Sequence, residues 1–129
     1  MGRRKAKGPT EAELEILRVL WERGPSTVRA VNEGVGAVRP TGYTTTLKLM
    51  QLMVEKGLLV RDESVRPQVF RPREAKEKTQ RTLVGNLVRE AFAGSAAQLV
   101  LRALDERKAS REELAEIRRA LDEMEGGGR

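Results

Sequence analysis

Cysteine and histidine are both absent from this chain. Their absence removes disulfides, thiolate or imidazole metal sites and imidazole acid–base chemistry from what the chain can supply. Aromatic residues are nearly as scarce, with Trp21, Tyr43, Phe70 and Phe92 as the whole complement. No apolar run approaches the roughly 20 residues that span a bilayer. The opening MGRRKAKGPT is basic but lacks the apolar stretch of a signal peptide. Catalysis would have to rest on carboxylates, and no buried-looking Asp/Glu pair stands out. Glu112 with Glu113, and Glu123 with Glu125, read as solvated helix faces. The expectation is a non-enzymatic, cytoplasmic protein with no cofactor, no metal, no membrane insertion and no evident small-molecule ligand.

What the chain does have is charge, at 34% of its 129 residues and a net of +6. The excess is uneven. Residues 1–72 hold 13 Lys/Arg against 8 Asp/Glu, a net of +5, whereas residues 73–129 hold 12 against 11, a net of +1. A cationic first half beside a nearly neutral second suits a nucleic-acid-binding lobe. The length allows one domain or two small lobes.

Residues 1–9 read as a disordered basic arm. In TEAELEILRVLWERGP, Thr10 and Glu13 have capping-box spacing, and Leu14, Leu17 and Trp21 form an apolar stripe with Ile16 and Leu20 beside it. Trp21 is expected to anchor the core between helices. Gly24-Pro25 ends this helix. A shorter second helix follows, with Ser26 as its cap, Val28, Val31 and Val35 inward, and Gly34 and Gly36 weakening its end. Pro40 pushes Arg39 out of helical conformation. The third helix is YTTTLKLMQLMVEKG, ending near Lys56-Gly57. Leu59 to Asp62 then alternate in a short strand, Ser64 to Pro67 turn, and Val69 and Phe70 lead a second strand. Three helices and a hairpin are the order of a winged helix-turn-helix, assigned here to residues 10–72.

Residues 73–125 read as three further helices. The first carries Leu83, Val84, Leu87, Val88, Ala91 and Phe92 on one face, and Gly94-Ser95 breaks it. The next turns Leu99, Val100, Ala103 and Leu104 to one side. The last opens on a Ser110/Glu113 capping box and continues with Leu114, Ile117, Leu121 and Met124. Each helix has a single apolar stripe, and about fifty residues are few for a lone core. Pairing with the same helices of a second copy solves the problem, through Leu83, Leu87, Phe92, Leu99, Val100, Leu104, Leu114, Ile117 and Leu121. The alternative is a single monomeric core with the first lobe. The fold class is therefore mainly α with a small β-hairpin wing: an N-terminal winged helix-turn-helix and a C-terminal three-helix dimerisation domain. Residues 126–129 read as a flexible tail.

The third helix carries the chemistry. At about 100° per residue, Thr46, Leu49, Met50 and Met53 fall on one side, and Thr44, Lys48, Gln51 and Glu55 on the other. Short hydroxyls, one amide and one cation among methyl groups suit a major groove. Thr44 and Thr45 lie where helix N–H groups attract phosphate, and Tyr43 can offer its hydroxyl to the backbone. Capping by Thr41 would explain one or two of the threonines, but not Lys48 and Gln51 continuing their face. Leu52 flanks the polar stripe. The hairpin offers Arg61, Arg66 and Arg71 to DNA as a wing whose tip, Arg66, can reach the minor groove or flanking phosphates; the alternative is a solvated charged turn. A competing reading has the same helix dock a protein through Leu47 and Leu52.

The segments TEAELEILRVLWERGPSTVRAV, YTTTLKLMQLMVEKGLLVRD and FRP resemble the BlaI/MecI penicillinase-repressor family of bacterial winged-helix regulators. The likeness continues through FAGSAAQLVLRALDE and SREELAEIRRALDE. It implies a homodimer that binds a palindromic double-stranded DNA operator and represses the genes behind it. The family's groove-reading helix maps onto Thr44, Thr45, Lys48 and Gln51; Leu52 stands where relatives often carry arginine. Members that control β-lactam resistance are inactivated by cleavage in the dimerisation domain, triggered by a membrane sensor-protease. The matching region here is Arg102-Ala103, in place of the family's Asn-Phe. Copper-responsive relatives carry a C-terminal cysteine motif that this chain lacks.

Overall fold

The computed structural model describes residues 8–37 and 39–126. Most of the expected basic arm (residues 1–7) and of the flexible tail (residues 127–129) lies outside them. The element order is α1 (Glu11–Arg23), α2 (Val28–Gly36), α3 (Tyr43–Glu55), β1 (Leu59–Asp62), β2 (Val69–Pro72), α4 (Lys76–Ala91), α5 (Ala96–Glu106) and α6 (Arg111–Gly126). Residues up to Asn86 form one compact unit and those from Leu87 another, so α4 contributes to both.

α1 starts as its sequence requires. The Thr10 hydroxyl accepts from the Glu13 N–H at 3.2 Å, while the Thr10 N–H donates to Glu13 Oε1 at 2.9 Å. The buried stripe is Glu13, Ile16, Leu17 and Leu20, at i, i+3, i+4 and i+7. This is a correction to the expected placement of Trp21. Leu20 reaches the centre of the core, and Trp21, one residue round the helix, packs half-buried on its rim. The indole N–H is enclosed without a hydrogen-bond partner among the described residues.

α2 begins one residue later than its sequence suggested. Thr27, not Ser26, is the cap, its hydroxyl accepting from the Ala30 N–H at 3.1 Å. Ser26 is held extended by the free edge of β2: its N–H donates to the Phe70 carbonyl (3.1 Å) and the Phe70 N–H donates back (2.8 Å). The Ser26 hydroxyl turns back to donate to the Gly24 carbonyl at 2.8 Å and makes no cap to α2. Val28, Val31 and Val35 face the core as expected. Gly34 is a point of close approach, since a Cβ there would lie 2.8 Å from Val19 Cγ1.

α3 ends in a Schellman turn. Leu58 N–H donates to the Met53 carbonyl (2.8 Å) and Gly57 N–H to that of Val54 (3.1 Å), with Gly57 at φ +84°. The turn aims the chain into β1, which pairs antiparallel with β2 in the register Leu59↔Pro72, Val60↔Arg71, Arg61↔Phe70 and Asp62↔Val69. Met50, Met53, Leu59 and Phe70 close the core against α1 and α2. An ion pair at the surface adds to it: the largely exposed Lys56, just past α3, reaches Oε2 of the buried Glu13 at 2.5 Å.

The second unit is built differently. Ser95 caps α5 through the Gln98 N–H (3.1 Å), and Ser110 with Glu113 forms the expected capping box on α6 (3.1 and 3.0 Å). Local signals thus set the helix starts. Packing is another matter, because α4, α5 and α6 contain no buried residue. Among the described residues, no helix is long and apolar enough to cross a membrane.

Candidate nucleic-acid interface

The first unit holds α3 by its inner face. Met50 and Met53 are fully buried, and between α3 and α2 the Thr46 hydroxyl donates to Asn32 Oδ1 at 2.7 Å. Thr46 was expected to face inward; its bond to Asn32 gives the buried hydroxyl the partner that burial demands. With this face anchored, the helix period turns Thr44, Lys48, Gln51 and Glu55 into solvent, and all four are exposed. Thr45 and Leu52 are exposed along one edge of this stripe; half-buried Leu47 lies on the other.

The start of α3 is open. Its N-cap is Gly42, which has no side chain to cap the first-turn amides. Thr41 does not cap either: its hydroxyl donates to the Arg39 carbonyl at 3.0 Å. The N–H groups of Tyr43, Thr44 and Thr45 are therefore available to an anion, beside the exposed Tyr43 ring. Lys48 has no carboxylate within ion-pair distance among the described residues.

A groove of about 360 Å³ runs between α3, the start of α2 and the hairpin. Tyr43, Leu47 and Gln51 line one wall, Thr27 and Arg29 the second, and Arg61, Gln68 and Phe70 the third. The structure thus brings Tyr43, Gln51 and Arg61 together, as their assignment to one surface requires. Arg61 stands opposite Phe70 in the ladder, so its side chain shares the body-facing side of the hairpin. There it pairs with Glu63 at 3.2 Å. Arg66 lies in the loop between the strands, exposed, with its guanidinium 3.5 Å from the Glu63 carbonyl. Asp62 opens that loop by accepting from the Ser64 hydroxyl (2.6 Å) and N–H (2.9 Å), and these bonds hold its carboxyl below the usual carboxylate range.

Arg29 was missed in the sequence. It lies off the Val28/Val31/Val35 stripe, which marks it as outward, but only the packed helices place it on the groove that Gln51 lines. Gln68 joins for the same reason, through the return of the hairpin.

The expected dimerisation residues divide. Leu83 belongs to the first unit, where it lines a groove of about 700 Å³ with Leu14 and Trp21. Leu87, Val100 and Leu121 are exposed in the second unit, and Phe92, Leu99, Leu104, Leu114 and Ile117 are half-buried. Leu104 and Ile117 meet across a small groove between α5 and α6. Arg102 and Ala103 are exposed on α5, and Arg102 pairs with Asp105 at 3.1 Å.

Three helices and a hairpin, with the third helix anchored from behind and presented to solvent, define a winged helix-turn-helix domain. A family model described as penicillinase repressor matches residues 9–123, and the chain belongs to that family. It is a regulator, not an enzyme. Transcriptional regulator BlaI of Mycobacterium tuberculosis (strains CDC 1551 / Oshkosh and ATCC 25618 / H37Rv) is 29% identical over 118 residues, covering 91% of this chain and 85% of that protein. A MarR family protein from Bacillus stearothermophilus has a similar structure, with a TM-score of 0.50 at 20% identity, over 91% of this chain and 73% of that one. At that identity the likeness concerns the fold alone.

Proposed function

We propose that this chain is a homodimeric, sequence-specific repressor whose α3 enters the major groove of a palindromic operator. One observation carries the reading: the exposed face of α3 presents Thr44, Lys48 and Gln51, with Glu55 only at its C-terminal end, and it borders a groove that also holds Arg29, Arg61 and Tyr43. Such a surface has donors for base edges at its centre and cations at its margin for phosphates. In this arrangement Thr44, Lys48 and Gln51 read bases, Tyr43 and Thr45 contact the phosphate backbone, and Arg61 and Arg66 reach flanking backbone from the wing.

The second unit supplies the dimer. Leu87, Val100, Leu121 and Met124 are exposed on helices that bury nothing of their own, and a second copy of the same helices covers them. Relief of repression by proteolysis would act at Arg102-Ala103 on α5, with a membrane sensor-protease as the partner that triggers it. Repression itself places the protein in the cytoplasm.

The test is a gel shift of the full chain against DNA from its own promoter region, with a scrambled duplex as competitor. A retarded complex that survives excess scrambled DNA, and whose affinity falls steeply with salt, is the expected result. Equal displacement by both duplexes would remove sequence specificity from the proposal.

A further inference from the structure

α3 has the composition of a reader of thymine. Its sequence, YTTTLKLMQLMVE, contains no arginine and a single cation, Lys48. The bidentate arginine that most often selects guanine is therefore missing from the helix. Gln51 can take an adenine, and Lys48 a guanine or a phosphate. The exposed surface also carries a large aliphatic group, Leu52, which is 51% exposed. It is absent from the side chains that pack against the core. Thr45, exposed seven residues earlier, lies on the same edge of the helix but about 10.5 Å away along its axis, so Leu52 is the apolar group at its own level of that edge. That edge points away from the Tyr43, Leu47 and Gln51 side that lines the groove to the wing.

A major groove offers one strongly apolar feature, the C5 methyl group of thymine. Cytosine, at the same position in its pair, carries only hydrogen there. We propose that Leu52 selects a thymine in each operator half-site by covering its C5 methyl group. The inference rests on α3 being the groove-reading helix, and it makes Leu52 a specificity-determining residue of that surface. Leu52 then does by methyl contact what a hydrogen-bonding residue would do by donor and acceptor.

The experiment begins with selection of a bound sequence from random duplexes by the full-length protein. Each thymine of the selected site is then replaced in turn by deoxyuridine, which removes one methyl group and leaves pairing intact. Affinities are measured by fluorescence anisotropy for the wild type and for Leu52→Ala, with thermal melting to show that the variant is folded. In the wild type, one thymine per half-site should lose about fourfold in affinity on demethylation, the worth of one buried methyl group. In Leu52→Ala the same replacement should cost less than about 1.5-fold, because the covering side chain is gone. A specific site indifferent to uracil at every thymine would overturn the inference while leaving the repressor reading intact. So would a Leu52→Ala protein that keeps the full penalty. Failure to select any sequence would overturn the repressor reading and this inference with it.

Discussion

The Thr46 hydroxyl donates to Asn32 Oδ1 at 2.7 Å, joining α3 to α2 on the side opposite the surface assigned to DNA. The two helices of a helix-turn-helix must keep a fixed angle for the second to fit a groove. Here a directional bond supplements apolar packing, which alone tolerates sliding. Thr46→Val keeps the shape of the side chain and removes the donor. It is expected to cost about 1 kcal/mol of stability, measured by urea unfolding, because Asn32 is only half-buried and water can replace part of the lost bond. A cost near zero would show that packing alone sets the helix pair.

A second link joins the start of α1 to the residue just past α3. Burial alone would raise the Glu13 carboxyl pKa. Hydrogen bonds from Lys56 and the Thr10 N–H, the Lys56 charge and the Thr10 hydroxyl outweigh burial and hold it below its ordinary 4.5. The ionised form is thus favoured by folding. Its stabilisation is complete above the ordinary carboxylate pKa and is lost as pH falls through the lowered folded value. Glu13→Gln should be less stable than the wild type at neutral pH, by about 1 kcal/mol given that Lys56 is largely solvated. The gap should shrink as pH drops below about 4. Denaturant midpoints across that range check both statements, and a gap independent of pH would contradict them.

The helices beyond Asn86 predict their own test. Leu87→Glu with Leu121→Glu places charges on apolar side chains that are 48% and 53% exposed in the single chain. Neither change should unfold α4 or α6, since neither residue is buried there. Both should oppose a dimer. Sedimentation at micromolar protein is expected to move from dimer to monomer with helical content retained. An unchanged dimer would place the interface elsewhere.

Arg29 separates backbone contact from base reading. If it meets a phosphate, Arg29→Ala should weaken specific and non-specific DNA binding alike and lower the salt slope by about one. A loss confined to the specific site would make it a base reader instead.

Much of this fold was legible because its signals are local. The Thr10/Glu13 and Ser110/Glu113 capping boxes, the valine stripe of α2 and the hairpin each depend on residues a few positions apart. Ser26 misled because its partner, Phe70, lies 44 positions away, and a sheet edge outbid a helix cap. Trp21 misled because i, i+3 and i+4 spacing admits two stripes, and the choice between them depends on what α2 and α3 present. Arg29 and Asn32 gave no sign of their roles, since each acquires one only when α3 packs alongside. The exposed surface of α3 could be drawn from periodicity, and the residues that flank it could not.

That surface is tested by one comparison: Thr44→Ala with Lys48→Ala against the wild type, titrated on the selected operator and on random duplex DNA at one salt concentration. Loss of two base-reading side chains should reduce specific affinity by about a hundredfold, while random-duplex affinity falls no more than about threefold, the share of a single cation. Specific affinity equal to that of the wild type would show that α3 does not read the operator through this face.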